Sequence, residues 1–326
     1  MSTTATASSG RTIAGLAVGL SLLLSIMLLC FGLPAINSSP QDVPLGIVGD
    51  EQTAGALGSA LEAAQPGAFE VTVYADAAAA EDAILNREVY GALIPGADGL
   101  TLDIATAASP TVASALTAMG EAVGAQSGTE VTVNDLVPTS EDDPKGIGLS
   151  AGALPIALGG FMAGVATTLL IRGTRERLIT MGVFGVVAGL AMTAILEFVF
   201  GTLTGNFLAT SGAAILGIIA TGMTVLGLES LLGRPGIAVG ALFVVLLGNP
   251  LSGLTSAPEL LPQPWGAIGQ LLPPGATGTL LRNVAFFDGA AIAQPIIVLC
   301  CWLAFGAALL WLSARRRPAE QVAEAA

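Results

Sequence analysis

The chain has 326 residues, of which 53% are hydrophobic and 11% are charged, and its mean hydropathy is +0.79. Soluble domains carry about 25% charged residues, so this composition excludes an ordinary soluble protein and indicates one embedded in a lipid bilayer. The net charge of -13 argues against a nucleic-acid partner, because acidic surfaces repel phosphates. There is no histidine, and the three cysteines lie in apolar stretches, so we expect no metal, no cofactor and no disulfide framework.

The charges are divided sharply along the chain, and this division predicts its topology. From Gln41 to Lys145 there are 17 acidic residues and two basic ones. Lys and Arg accumulate in the cytoplasmic loops of membrane proteins, so the acidic region is predicted to lie outside the cell and both termini inside. Ten arginines to one lysine, with abundant alanine and glycine, is typical of a GC-rich bacterium, which predicts a multi-pass protein of a bacterial plasma membrane. The basic residues predicted to be cytoplasmic are Arg11, Arg172, Arg175, Arg177, Arg234, Arg315, Arg316 and Arg317.

The chain begins with a Ser/Thr/Ala-rich stretch, and residues 1–12 are predicted to form a cytoplasmic tail. The apolar stretch that follows, Ile13–Leu33, has 21 residues and precedes Pro34, which is expected to end the helix. A cleaved signal peptide and an uncleaved anchor both begin with a charge before an apolar stretch, but signal-peptide cores have roughly 7–15 residues. The length favours an anchor, so a first transmembrane helix is predicted over residues 13–35.

Residues 36–148 are predicted to form an extracellular α/β domain, because short strand patterns alternate there with helix patterns. A domain of this length is large enough to bury its own core. Strands are predicted at 43–48, 69–74, 89–94, 100–104 and 130–133, and helices at 51–64, 77–87 and 110–123.

Residues 149–313 are predicted to form a membrane domain of five helices, which brings the number of transmembrane helices to six. Its first two spans, 149–171 and 178–200, are each about as long as the ~30 Å hydrocarbon core is thick. The turn Arg172–Arg177 joins them, and its three arginines predict a cytoplasmic position. Further spans are predicted at 207–228, 236–247 and 290–312, and a second cytoplasmic tail at 314–326.

A proline-rich region precedes the last span. Proline lacks an N–H and fixes φ, so Asn249 and Pro250 are expected to break the fifth span. The fragments that follow are too short to cross a bilayer, and residues 257–288 are therefore predicted to form a re-entrant or interfacial segment. Its candidate site residues are Pro258, Glu259, Pro262, Pro273 and Pro274.

Two carboxylates lie within or at the end of predicted spans and are candidates for function. Glu197 lies among apolar residues, where desolvation would suit proton coupling, but it is about one turn from the outer surface. A position at the interface or an interhelical hydrogen bond is the favoured interpretation. Glu229, near the inner end of its span, is expected to pair with Arg234.

Glycines recur at helical spacing in three spans, at positions 160/164, 185/189 and 236/240. Such pairs allow helices to approach closely in lipid. Ordinary packing within the chain is favoured over a specific dimer seam.

The turn Arg172–Arg177 has two interpretations of similar weight. In the first, the turn serves only to set the topology. In the second, it also docks a cytoplasmic partner through Arg172, Arg175, Glu176 and Arg177. No phosphate-binding P-loop occurs in the chain, so it is not expected to hydrolyse ATP itself.

Three short motifs resemble one known family. Arg87–Pro95 looks like a strand of the family's external domain, Arg175–Leu178 falls where its coupling helix lies, and Asn249–Gly253 with Pro258–Pro262 looks like the segment before its re-entrant cap. Together with the order of spans, they resemble the permease subunits of type-two ATP-binding-cassette (ABC) exporters, in the phage-infection-protein-like branch.

The resemblance implies a membrane subunit without enzymatic activity of its own, paired with a second copy or a related permease and driven by a separate cytoplasmic ATPase. The apolar, glycine-rich spans suggest an amphiphilic or lipid-like substrate. Two alternatives remain open at this point: a non-transporting scaffold or surface receptor that binds a partner through the external domain, and a proton-coupled transporter that uses Glu197.

Overall fold

The computed structural model describes residues 10–96 and 99–324, which form a small α/β sheet domain and a bundle of long helices. The sheet contains five strands in the order β2-β1-β3-β4-β5, and only the β3–β4 pair is antiparallel among the hydrogen-bonded neighbours. The strands are β1 Val43–Val48, β2 Phe69–Tyr74, β3 Gly91–Pro95, β4 Leu100–Ile104 and β5 Val131–Asp135. The five predicted strands are thus confirmed, with boundaries that move by two residues at most.

Three helices pack on this sheet, and each begins at a side chain that caps it. The capping oxygens of Asp50, Asp76 and Ser109 accept the backbone N–H groups of Thr53, Ala79 and Val112. These bonds satisfy N–H groups that a helix leaves free in its first turn. The helices are α2 Glu51–Ala64, α3 Ala77–Leu85 and α4 Pro110–Ser127.

The core of the sheet domain is completed by residues from the far end of the chain. Leu45, Leu93 and Leu102 are fully buried in it, as the strand patterns require. Ala257, Leu260 and Phe287 belong to the same buried cluster, although more than one hundred residues separate them from the last strand. Residues 36–148 were expected to bury a core of their own, whereas the observed core also includes these three residues from beyond the predicted domain.

Five helices are long and apolar enough to cross a membrane, and the structure contains no bilayer to place them in. The first, α1, continues past the predicted stop at Pro34, because a proline in the last turn removes only one hydrogen bond. The five stretches are Gly10–Ile36 (α1), Ile147–Leu170 (α5), Thr174–Val199 (α6 and a π-helical turn from Ile195), Phe207–Leu232 (α7) and Ala293–Arg315, within α11 Ala293–Glu324.

The predicted fifth span is shorter than the others. It is a helix of 15 residues, Arg234–Gly248, made of α8 (Arg234–Ala241) and a π-helical stretch (Leu242–Gly248). At ~1.5 Å per residue it extends roughly 22 Å, less than the ~30 Å hydrocarbon core. Beyond it lie a 3₁₀ turn (Pro258–Leu260), α9 (Trp265–Gln270) and α10 (Pro273–Phe286).

Helix α7 is the centre of the bundle, and α5, α6, α10 and α11 all pack against it. The contacts are close because glycines face it. A Cβ on Gly160 would lie 2.6 Å from the carbonyl oxygen of Ile218, and one on Gly164 would lie 2.9 Å from that of Gly222. The predicted glycine pairs therefore pack within the chain, as the favoured interpretation had it.

Helix α1 is different, because its main contact with the bundle is with the π-helical stretch of Arg234–Gly248, and residues near its C-terminal end line the cavity there. Most of its large apolar side chains are exposed, and Leu28 is exposed by 73%. In lipid such a surface is satisfied, whereas in water it would aggregate.

Candidate functional site

The sheet domain is joined to the proline-rich region by a strip of hydrogen bonds. The backbone N–H of Ser39 donates to the carbonyl of Leu260 at 3.1 Å, and that of Gln41 donates to the carbonyl of Glu259 at 3.0 Å. In return the backbone N–H of Gln263 donates to Gln41 Oε1 at 3.0 Å. The region predicted to be re-entrant is therefore fixed to the underside of the sheet domain.

A cluster of charged and aromatic residues occupies this contact, and we call it the junction cluster: Arg87, Tyr90, Glu259, Arg282 and Phe287. The hydroxyl of Tyr90 donates to Glu259 Oε2 at 2.7 Å. Burial, together with the nearby charge of Glu259, raises the pKa of Tyr90, so the phenol remains a donor at neutral pH. The guanidinium carbon of Arg87 lies 4.8 Å from the ring centre of Phe287 and 5.3 Å from that of Tyr90.

Arg87 has a backbone conformation that usually requires glycine. Its φ is +65°, and it follows the last residues of α3. The N–H of Arg87 donates to the carbonyl of Ile84, and the N–H of Glu88 donates to that of Ala83. This is the Schellman arrangement of a helix end, whose left-handed position disfavours any residue with a Cβ. An arginine at this position costs backbone energy, which points to a use for its side chain.

Arg282 lies on α10 and is 6% exposed. Its Nη2 donates to the carbonyl of Leu254 at 3.3 Å. Burial lowers its pKa to about 10, and the neighbouring positive charge of Arg87 acts in the same direction. The side chain is still charged at neutral pH. Among the side chains that the structure describes, none places a carboxylate oxygen within 4.0 Å of Arg87 or Arg282, and the Nε of each arginine has no hydrogen-bond acceptor.

Two cavities adjoin the junction, and both are lined by Gln41. The polar cavity, about 500 Å³, lies beneath the sheet domain and is lined by four members of the junction cluster, Phe287 excepted. The apolar cavity, about 620 Å³, lies between α1 and the π-helical stretch, and Leu29, Leu246 and Trp265 line it. A pocket of roughly 300–1,000 Å³ is typical of small-molecule sites. The arrangement can accommodate a molecule with one polar and one apolar end.

The predicted residues of the proline-rich region divide between these surfaces. Glu259 and Pro258 line the polar cavity, whereas Pro250 and Pro262 line the apolar one. Asn249 lines a neighbouring cavity of about 330 Å³ beside α1. The two remaining prolines are buried at the first turn of α10, where proline is favoured, and they are Pro273 and Pro274.

The basic turn lies at the other end of α5 and α6, away from the sheet domain. Arg172, Arg175 and Glu176 are exposed there. Arg177 is held in place, because its Nη1 donates to Glu229 Oε2 at 3.1 Å and its Nε donates to the carbonyl of Ile171 at 2.9 Å. The expected pair of Glu229 with Arg234 is therefore wrong, since α7 places Glu229 beside the first turn of α6.

The turn also differs from the coupling helix that the resemblance implies. The connection from α5 to α6 consists of residues 171–173, and Arg175–Leu178 lies in the first turns of α6 rather than in a separate helix. Any partner that binds here contacts a short, rigid end of two helices.

Glu197 lies in the π-helical turn that ends α6, and it is half-buried. Within the described part of the chain, its buried Oε2 has no hydrogen-bond partner. The structure gives this oxygen no interhelical hydrogen bond, and π-helical turns often mark functional positions.

Sequence reasoning gave no role to Arg87, Tyr90 or Arg282. Of the three, Arg282 could have been found from the sequence, because a single arginine in an otherwise apolar helix next to membrane spans is a candidate for function. The other two lie in the strand motif but come near Arg282 only through the fold. The described residues contain no group of three or more Cys, Asp or Glu side chains placed to hold a metal ion. Comparison with protein-family models, curated proteins and solved structures found no match to the chain.

Proposed function

We propose that this protein is the membrane subunit of a bacterial exporter that moves an amphiphilic or lipid-like substrate, with a separate cytoplasmic ATPase supplying the energy. The observation that carries the proposal is the pair of cavities that share Gln41, one apolar beside α1 and one polar beneath the sheet domain. An amphiphile has the same division into two ends, so one molecule can satisfy both.

In the proposed topology the chain crosses the plasma membrane six times. The sheet domain lies outside the cell, the basic turn and both termini lie inside, and residues 257–288 form a re-entrant or interfacial cap. The helix Arg234–Gly248 is shorter than the other spans, and the proline-rich region beyond it would complete this crossing. The distribution of arginines supports this orientation.

The resemblance to the type-two ABC exporters adds a mode of action. Two permeases, identical or related, would form the pathway, and the ATPase would push on the end of α5 and α6. Arg177 would transmit this force, because its side chain joins the end of α5, the start of α6 and Glu229 of α7.

A second candidate function is a membrane scaffold or surface receptor that transports nothing. The short connection between α5 and α6 favours it, because three residues offer little surface to an ATPase. The hydrogen-bonded junction would then serve to hold the sheet domain at a fixed angle to the membrane.

Affinity purification of the tagged chain in mild detergent distinguishes the two. An exporter is expected to co-purify with an ATP-binding-cassette ATPase, whose hydrolysis rises when the complex is reconstituted and supplied with amphiphile. Recovery of the chain without any ATPase, from cells whose known exporters keep theirs under the same conditions, would contradict the export proposal and favour the scaffold.

A further inference from the structure

We propose that the polar cavity binds the oxyanion of an amphiphile's headgroup, a phosphate or a chemically similar group, between Arg87 and Arg282. This inference rests on the proposed amphiphile site and adds the chemistry of its headgroup. It would hold for an exporter and for a receptor alike.

The first argument is charge. The polar cavity is lined by two guanidinium groups and by one partly buried carboxylate, that of Glu259, which already accepts the Tyr90 hydroxyl at 2.7 Å. The other two acidic residues that line the cavity, Asp42 and Glu70, are exposed to solvent. Arg282 has one carbonyl acceptor, at Leu254, and the buried Nε of each arginine has none among the described residues. Leaving buried donors of a cation without acceptors is unfavourable. A tetrahedral oxyanion supplies acceptors to both arginines, and guanidinium binds such groups through two parallel hydrogen bonds.

The second argument is the backbone of Arg87. Its left-handed conformation favours glycine, and the helix end that requires it is fully formed by main-chain bonds. The side chain is therefore not needed to end α3. The rings of Tyr90 and Phe287 hold its guanidinium, which lines the same cavity as Arg282, so the charge is oriented before a ligand arrives.

The third argument is continuity. Gln41 lines both cavities, and Pro262 of the apolar cavity is followed by Gln263 and Pro264 of the polar one. A headgroup at the arginines therefore has an apolar cavity next to it for its hydrocarbon chain. Trp265 lines the apolar cavity and is 46% exposed, so its fluorescence can report the binding of a hydrocarbon chain there.

The test uses the full chain in a neutral maltoside detergent and two ligands with the same dibrominated acyl chain. One is a lysophosphatidate and the other is the monoacylglycerol, which differs only in lacking the phosphate. Bromine quenches tryptophan fluorescence at contact, and the part of the quenching that disappears in Trp265→Phe is assigned to the apolar cavity.

We expect the lysophosphatidate to quench Trp265 at about tenfold lower concentration than the monoacylglycerol, as for a charge-assisted contact. In Arg87→Gly this preference should fall to about twofold or less. The temperature of thermal unfolding should be unchanged or slightly higher, since glycine suits the backbone there. Arg87→Gln, which keeps a side chain, should lose the preference too. Lys145→Gln is the matched control, because it removes an exposed cation that does not line the cavity.

Each other outcome overturns a definite part. Equal quenching by both ligands would leave the amphiphile site standing and refute the oxyanion site. A preference that survives in a folded Arg87→Gly would also refute it. If neither ligand gives saturable quenching, the amphiphile site is refuted, and the proposed function loses its main support as well. Displacement of the lysophosphatidate by millimolar inorganic phosphate would show a site for free anions instead of a headgroup site.

Discussion

At the scale of single residues, the basic turn contains side chains of two kinds. Arg177 bonds to the carbonyls of Thr168 and Ile171 and to Glu229, so it satisfies acceptors that α5 leaves free at its end. Arg172, Arg175 and Glu176 are exposed, and the structure gives no ion pair for them among the described residues. Arg177 is thus part of the fold, and the other three are available to a partner.

This difference predicts two outcomes at neighbouring positions. Arg177→Gln should lower the unfolding free energy by about 2 kcal/mol or more, because it leaves Glu229 without its partner and α5 without its cap. Arg175→Gln removes the same charge from an exposed position and should change it by less than about 0.5 kcal/mol. Thermal unfolding in detergent measures both. Equal stability of the two variants would contradict the role given to Arg177.

The sequence alone could not assign the partner of Glu229. Arg234 is five residues away in the chain, and proximity in sequence made it the natural expectation. Arg177 is 52 residues away and reaches Glu229 only because α6 and α7 pack side by side. The same holds for Arg87 and Arg282, which belong to different domains in the sequence and share one cavity in the fold.

At the scale of elements, close packing around α7 decides the shape of the bundle. Gly159 and Gly160 are adjacent on α5 but point to different surroundings. A Cβ on Gly160 would meet the Ile218 carbonyl oxygen at 2.6 Å and the Cβ of Thr221 at 3.0 Å, whereas one on Gly159 would meet no atom of the described chain within 4 Å.

Alanine at these two positions should therefore have opposite effects. Gly160→Ala should force α5 away from α7 and destabilise the protein by roughly 1–3 kcal/mol, as overpacking does. Gly159→Ala should be tolerated, since alanine also favours the helix. Unfolding in a denaturing detergent series compares the two directly. A stable Gly160→Ala variant would mean that the α5–α7 seam is looser than the structure has it.

Strands and long helices were predictable because their patterns are local. The alternation of apolar and polar residues predicted strand β2, and a continuous apolar stretch predicted helix α7. The boundaries of both were predicted within a few residues. The short helix Arg234–Gly248 was predicted as a span because its apolar stretch continues until Pro250, and no local signal shows where its last turns become π-helical. The burial of Leu260 and Phe287 in the sheet domain depends on contacts across the chain, which no local pattern records.

At the scale of the whole molecule, orientation in the membrane is the first prediction to test. Single cysteines at Thr204 and Lys145 should react with an impermeant thiol reagent in intact cells, in a background without the three native cysteines. A cysteine at Thr174 should react only after lysis, because the arginine-rich end of the bundle is predicted to face the cytoplasm. All three positions are exposed, so access to the reagent depends on the membrane alone. Labelling at Thr174 without lysis would invert the topology.

The last prediction concerns coupling between this chain and an ATPase. If the ATPase docks at the end of α5 and α6, the contact is made by the exposed residues of the turn, since Arg177 is occupied within the fold. Replacing Arg172, Arg175 and Glu176 together by alanine should then abolish co-purification of the ATPase and the rise in ATP hydrolysis.

Folding of this triple variant should be unaffected, because the bonds of Arg177 to α5 and α7 are intact. The orientation should also survive, because six of the eight arginines at the predicted cytoplasmic positions remain. A scaffold would keep its partners and its phenotype in the same variant. Normal transport by a correctly folded and oriented triple variant would remove the turn from the mechanism, and Glu197, with its unpartnered buried oxygen, would become the residue to replace by glutamine.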